Sequence, residues 1–353
     1  QAPAFDLATA FELYRQVLAP VEAGWKGASN LLVVASGALS QIPFGLLTTA
    51  PVDLKREAVP FAEFRRAPWL IKQLAVTQLP SVNVLVTLRR ARPGAVDREE
   101  FMGFGDPDFG GTTPHAKSRR VKVRNLSFGR SSRDVLTGGD AAWMDYSRIP
   151  PLPDTRDEIL AIAKALGADP ARDAMLGKDA SKENVRKADL AHRRIIAFAT
   201  HGLLAGDFPG VNEPSLALAN PGDGKNGLLT LSDILGLKLD ADWVVLSACN
   251  TAAGDGAGAD AVSGLGRGFF YAGSRALLVT HWPVETVSAR LLDTGLFSRY
   301  SQNRGLGRAE ALRQSMLAVM ETPGPVNPAT RKMEFSYAHP LFWAPYALVG
   351  DGR

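Results

Sequence analysis

Three runs of apolar residues in the second half of the chain constrain its fold more than any other feature. They lie at residues 195–199, 243–247 and 276–280, and helical apolar spacing occupies segments between and after them. Strands that are apolar throughout and separated by helices are typical of a mostly parallel sheet that is covered on both faces. We therefore predict an α/β fold with helices on both sides of a central sheet.

The first half contains shorter segments of the same kinds. Residues 5–19 have helical spacing, and residues 31–34, 74–79 and 101–104 are predicted to be strands. Between Lys117 and Arg133 the chain has seven basic residues and no acidic one. We interpret residues 109–150 as a basic surface loop or insertion, with a phosphate-contacting patch or an exposed cleavage site as alternatives. This loop ends the first of two predicted halves, 1–150 and 151–353.

Composition excludes several classes of protein and of site. The chain has 353 residues, 46% of them hydrophobic and 22% charged, which is ordinary for a globular protein. A net charge of +4 is small for a nucleic-acid partner, and no apolar run is long enough to span a membrane. Cys249 is the only cysteine, so an intramolecular disulfide or a cysteine-rich zinc site is excluded, and we expect no metal and no cofactor. Because the chain starts at Gln1, we expect a processed or excised piece. A cytoplasmic location is favoured, and export stays open because the true N-terminus is missing.

Two of the predicted strands end in reactive side chains. Residues 195–199 lead into His201 and Gly202, and residues 243–247 lead into Cys249. The carboxyl ends of parallel strands meet at one edge of a sheet, so we expect the imidazole and the thiol to lie close together. A nearby imidazole can take the thiol proton and make the sulfur a nucleophile. His281, which also follows a strand, is the alternative base.

Two backbone amides complete this candidate site. Gly202 has no Cβ, so a substrate carbonyl could approach its N–H group closely, and the N–H of Cys249 would be the second donor of an oxyanion hole. We therefore predict a catalytic pair of His201 and Cys249.

Several motifs, in order along the chain, resemble the CHAT domain, a caspase-like family usually found beside tetratricopeptide repeats. The segments that carry the resemblance are 35–44, 79–81, 104–108, 152–158, 176–180, 198–202, 246–251, 264–273 and 339–350. The resemblance implies a bacterial member of the caspase, separase and gingipain group of cysteine peptidases. It also implies a caspase-like sandwich of two related halves, an inactive N-terminal half (1–150) and an active C-terminal half (151–353).

On this resemblance His201 and Cys249 carry over as the catalytic dyad, and Gly202 as an oxyanion donor. The implied function is a cysteine endopeptidase that cleaves a protein substrate through a thioester. An upstream tetratricopeptide-repeat region or an activating protein is the implied partner. The alternatives are a catalytically silent regulatory scaffold and a thiol enzyme that is not a peptidase.

Two acidic residues are candidates for substrate binding. Asp260 lies in a glycine-rich loop, at a position where CHAT domains often carry an acid, and Glu285 is the acid nearest to the tryptophan that follows the third strand. Either carboxylate could receive a lysine or arginine of the substrate. The alternative is that both residues cap or precede helices.

Overall fold

The computed structural model describes residues 4–110, 146, 149–207, 210–222, 226–247, 264–282 and 284–353. The basic segment 117–133 and the glycine-rich loop 252–260 therefore lie outside the described residues, as do Cys249 and Asp260.

Strands and helices alternate through most of the described chain. The strands are β1 (Asn30–Val33), β2 (Ala75–Gln78), β3 (Glu99–Pro107), β4 (Ala174–Gly177), β5 (Arg193–Ala199), β6 (His201–Leu203), β7 (Ser215–Ala217), β8 (Leu228–Thr230), β9 (Trp243–Leu246), β10 (Ala276–Thr280) and β11 (Tyr346–Gly350). The α-helices are α1 (Leu7–Val17), α2 (Glu22–Trp25), α3 (Val82–Arg90), α4 (Asp154–Ala165), α5 (Pro170–Asp173), α6 (Lys182–Lys187), α7 (Leu231–Leu235), α8 (Gly264–Ala272), α9 (Thr286–Gln302), α10 (Arg308–Glu321) and α11 (Pro340–Trp343). Short 3-10 helices join several of them.

Eight of these strands form one sheet in the order β1-β2-β11-β10-β9-β5-β3-β4. Every neighbouring pair is parallel except β10 and β11. Because β5, β9 and β10 are buried along nearly their whole length, their side chains must be apolar on both faces. The predicted mostly parallel sheet is thus confirmed.

Helices cover both faces of this sheet. On one face, α4, α9, α10 and α11 pack over Ala197, Val245 and Leu278. On the other face, α7 and α8 pack over Ile196, Val244 and Leu277. The two sets of strand residues alternate along the chain, as the two-residue period of a strand requires. The predicted α/β layering is confirmed.

The sheet combines strands from both sides of residue 150. Strand β3 comes from the first predicted half but lies between β5 and β4, which come from the second. It is also longer than the predicted strand 101–104, because pairing with β4 continues to Pro107. Hydrogen bonding therefore crosses the predicted boundary, and the division into an inactive and an active half stays a prediction.

A second, small sheet has the order β6-β7-β8 and is antiparallel. It begins one residue after β5 ends, because only Thr200 separates β5 from β6. The Thr200 hydroxyl, which is buried, donates a hydrogen bond to the carbonyl oxygen of Ala217 in β7. The chain thus passes directly from the large sheet into the small one at His201.

Among the described residues, no helix is both long and apolar enough to cross a membrane.

Gly273 tests how closely the end of α8 packs against the backbone of Leu239. It follows α8 at φ 118°, and an added Cβ would overlap the carbonyl oxygen of Leu239. We expect Gly273→Ala to lower the free energy of unfolding by about 2–4 kcal/mol, from backbone strain plus the overlap. Urea unfolding measures the change.

Gly24→Ala is the matched control, because nothing lies within 4 Å of its added Cβ and it sits in the short helix α2. The control should leave stability unchanged or raise it by up to about 1 kcal/mol. Equal stability of the two variants would contradict the packing described here.

Candidate functional site

His201 is held at the carboxyl end of β5, where the large sheet passes into the small one. It is the first residue of β6, pairs with Ala217 of β7, and is 1% exposed. The backbone is held on both sides of it, since β5 ends two residues earlier at Ala199 and Gly202 pairs with Leu216. The imidazole therefore has little freedom to move.

The Nε2 atom of His201 lies 2.8 Å from the carbonyl oxygen of Pro150. A carbonyl oxygen can only accept a hydrogen bond, so Nε2 must carry a proton and donate it. In the neutral ring the lone pair then lies on Nδ1, which is buried. The contact with Pro150 thus fixes which ring nitrogen can act as a base.

An apolar cluster surrounds this imidazole. The ring of Phe109 lies 5.9 Å from the ring of His201, centre to centre. Tyr146 packs in the same cluster, and its hydroxyl oxygen accepts a hydrogen bond of 2.6 Å from the Gly227 amide. Burial raises the pKa of Tyr146 to about 12 although this bond and a further one from the Leu228 amide lower it, so the phenol stays neutral. The cluster therefore excludes water from one side of the ring and places no ionised group there.

The strand that leads to Cys249 is the immediate neighbour of β5. Phe198 pairs with Leu246, and the amide of Ser247 donates a hydrogen bond of 3.0 Å to the carbonyl oxygen of Phe198. The parallel pairing thus continues one residue beyond β9. Cys249 follows Ser247 by two residues and lies outside the described residues, as does its position relative to His201.

His281 follows β10 on the opposite side of β9. Its amide donates a hydrogen bond of 2.9 Å to the carbonyl oxygen of Pro345. Both of its ring nitrogens are buried, and neither has a hydrogen-bond partner in the part of the chain that the structure describes. Burial lowers the pKa of His281 to about 4, so the ring is neutral at neutral pH. The structure therefore places two imidazoles at this edge, one on each side of β9.

The structure gives Glu285 a definite local role. It is the N-cap of α9, where Oε2 accepts a hydrogen bond of 2.8 Å from the amide of Ser288, and the residue is 6% exposed. This is the capping alternative that the sequence left open, and substrate binding by Glu285 stays a prediction. Gly202 lies in β6 beside His201, as predicted, while its part in an oxyanion hole is untested.

Sequence reasoning did not find the Pro150 carbonyl. A main-chain acceptor has no side-chain signature, and 51 residues separate it from His201. One weak signal was present: Pro151 follows Pro150 and restricts its backbone to extended conformations, which fixes the direction of the carbonyl. Among the residues with described positions, no cluster of three or more His, Cys, Asp or Glu side chains could hold a metal ion.

The chain is similar to known proteins to different extents. The chain is 23% identical over 379 residues to tetratricopeptide repeat protein 28 of Mus musculus, and the match covers 96% of this chain but 13% of that protein. It is also similar to two solved structures. One is the Saccharomyces cerevisiae separase–securin complex, with 13% identity, a TM-score of 0.44, and coverage of 80% of this chain and 14% of that chain. The other is the Arg-specific cysteine proteinase gingipain R, with 9% identity, a TM-score of 0.48, and coverage of 95% and 66%.

The sequence profile of the CHAT domain matches residues 7–351, which is nearly the whole chain. This chain therefore belongs to the CHAT domain family.

Proposed function

We propose that this chain is a CHAT-type cysteine endopeptidase that cleaves a protein substrate through a dyad of His201 and Cys249. One observation carries the proposal. A buried imidazole, with its Nε2 proton committed to the Pro150 carbonyl, lies at the end of the strand next to the one that leads to the only cysteine. An oriented imidazole beside a thiol would be the arrangement that nucleophilic catalysis requires.

Covalent geometry supports the placement of the nucleophile. Consecutive Cα atoms are about 3.8 Å apart, so Cys249 can lie no more than about 7.6 Å from the Cα of Ser247. Ser247 is itself bonded to Phe198, three residues before His201. A thiol within that radius can reach the edge of the sheet at which His201 lies.

The two imidazoles differ in their fitness as the base. A general base works best when its pKa lies near the working pH. Burial lowers the pKa of His281 to about 4, so it would accept a proton only weakly at neutral pH. His201 instead has its Nε2 proton bound to the carbonyl oxygen of Pro150, so that Nδ1 is the nitrogen left to accept the thiol proton. This comparison favours His201 as the base.

The proposed reaction has two steps. Nδ1 of His201 takes the thiol proton, Sγ of Cys249 attacks the peptide carbonyl, and the C–N bond breaks as the proton passes to the leaving amine. Water then attacks the thioester, His201 takes its proton, and the thiol is restored. The amides of Gly202 and Cys249 would stabilise the oxyanion, each worth about 3–4 kcal/mol in the transition state. The scheme needs no cofactor.

The partner is proposed to be a protein. The chain spans 13% of a relative whose name includes tetratricopeptide repeats. We therefore propose that an adjoining repeat region or a separate activating protein presents the substrate to this edge of the sheet.

Replacing Cys249 tests the dyad directly. Cys249→Ala should reduce cleavage of protein substrates by more than about 10³-fold, because it removes the nucleophile. His201→Gln should have a similar effect, since the amide can still donate to Pro150 but cannot act as a base. A search for new protein N-termini produced by wild type and absent with the variants measures the loss.

His192→Gln is the control, because this histidine is exposed and pairs with Asp189 at 2.7 Å. Cleavage that persists with Cys249→Ala would refute the dyad. If the wild type itself cleaves nothing, labelling with iodoacetamide at pH 6 decides between an activated thiol and a silent scaffold. Since Cys249 is the only cysteine, any label reports on it alone.

The low pKa of His281 predicts that the folded chain loses stability as the pH falls. The unfolded chain binds a proton at this residue below a pKa near 6.5, whereas the folded chain does so only near pH 4. Falling pH therefore favours the unfolded state across that window. At pH 5 the contribution of His281 should be about 2 kcal/mol of lost stability, so His281→Phe should lose that much less than wild type on going from pH 7 to pH 5.

Urea unfolding at the two pH values measures the difference. His192→Gln, which alters an exposed ring, should retain the wild-type loss. An identical pH dependence in wild type and His281→Phe would show that the His281 ring is protonated equally in both states.

We propose that the carboxylates of Glu285 and Asp260 are candidates for binding a basic substrate residue. Glu285→Gln keeps an oxygen that can cap α9 while removing the charge. If the carboxylate receives the substrate, kcat/KM for peptides with Arg or Lys before the cut should fall by about 10-fold or more relative to neutral peptides, as expected for a charged hydrogen bond. An unchanged ratio would leave Glu285 as a helix cap alone. Asp260→Asn provides the parallel measurement.

A further inference from the structure

The amino-terminal ends of the central strands carry a cluster of arginines around one aspartate. Arg194 is the second residue of β5, Asp242 directly precedes β9, and Arg275 directly precedes β10. Arg308 begins α10 and Arg98 directly precedes β3, and both reach the same aspartate. This edge of the sheet is opposite to the one that carries His201, since β5, β9 and β10 are parallel.

Only one of these arginines is hydrogen-bonded to Asp242. Arg98 is bound through both of its terminal nitrogens, at 3.1 and 3.3 Å. The others stand further away: Arg275 at 3.6 Å, Arg194 at 3.8 Å and Arg308 at 3.9 Å. Those distances are outside hydrogen-bonding range, so the three guanidinium groups surround the Asp242 carboxylate but do not donate a hydrogen bond to it.

Each of the three has a buried nitrogen for which the described part of the chain offers no hydrogen-bond partner. These atoms are Nε of Arg194, Nη1 of Arg275 and Nε of Arg308. Arg194 Nε lies 3.5 Å from a Glu100 oxygen but without hydrogen-bond geometry. Buried donors without an acceptor are uncommon, and each costs about 1–3 kcal/mol, more when the group is charged. Three in one place indicate that an acceptor belongs there.

The cluster also has an excess of positive charge. Asp240 is the second acid, and it is bound to Arg275 at 2.6 Å and lies 3.6 Å from Arg98. Four arginines thus face two aspartates.

The neighbouring acids do not remove this excess, because each has its own arginine. Glu100 is bound by Arg304 at 2.6 Å, and Asp351 by Arg353 at 2.9 Å. Guanidinium groups do not lose their charge in proteins, so an added anion would offset the excess.

We propose that Arg194, Arg275 and Arg308 form a binding site for a phosphate group at the amino-terminal edge of the large sheet. Several guanidinium donors that converge from different elements match an anion with three or four acceptor oxygens better than a second carboxylate. Access is from the side of Arg194 and Arg275, whose side chains are 24% and 17% exposed, whereas Arg308 is 10% exposed and forms the inner wall. The bound group would join β5, β10 and α10 at one point.

Inorganic phosphate is the first probe. Isothermal calorimetry on the wild-type chain, titrated with phosphate against chloride at constant ionic strength, should show saturable binding to one site. The melting temperature should rise with phosphate as the logarithm of its concentration above Kd. Absence of saturable heat in the wild type overturns the proposal, whatever the variants do.

Arg194→Gln is the principal variant, because Arg194 is the most exposed of the three arginines. It should weaken phosphate binding by about 10-fold or more, the loss expected for one charged hydrogen bond. Arg186→Gln is the matched control, since this arginine is 59% exposed and pairs with Asp233 elsewhere on the surface. Its binding should equal that of wild type.

Phosphate also stabilises proteins generally, because it is excluded from their surfaces. Equal increments in the melting temperature for wild type, Arg194→Gln and Arg186→Gln, with no saturable binding, would show only that general effect and would refute the site. Pyrophosphate and ADP distinguish the sources of the phosphate group. Tighter binding of either identifies the terminal phosphate of a larger molecule, and binding of inorganic phosphate alone identifies the free ion.

Discussion

Parallel pairing of β9 with both β5 and β10 is the constraint on which the arrangement of polar groups in this chain depends. The three strands are buried on both faces, so charged and reactive side chains are excluded from their middles and collect at their two ends. Because the strands are parallel, equivalent ends meet at the same edge. His201, His281 and the approach to Cys249 share one edge, and the arginine cluster shares the other.

The central strands could be predicted because their signal is local. Residues 195–199, 243–246 and 276–279 are apolar at every position, and the structure places them in β5, β9 and β10. The strands of the small sheet have three residues each, which is too short for any periodicity to be recognised. Strand β11 was missed for another reason: it pairs antiparallel to β10 and parallel to β2, far away in the sequence, and no local pattern encodes that choice.

The candidate site could likewise be predicted only where its signal is local. The positions of His201 and Gly202 at a strand end follow from the sequence, because strand ends can be located. The contact with Pro150 and the burial of the His281 ring nitrogens do not follow, since both depend on how distant segments pack. Likewise, the sequence gives no sign that the arginines around Asp242 are more than ordinary surface charges. Their convergence on Asp242 appears only when four separate elements are brought together.

The imidazoles of His201 and His281 lie at the same sheet edge but in different hydrogen-bonding environments. At His201 the carbonyl oxygen of Pro150 accepts the Nε2 proton, which fixes the tautomer of the neutral ring. At His281 no described acceptor is present, so burial penalises the charge without compensation and lowers the pKa to about 4. The two rings therefore differ in their surroundings: one has an acceptor at 2.8 Å, and the other has none among the described residues. That asymmetry is set by the fold around each ring, because the residue type is the same in both places.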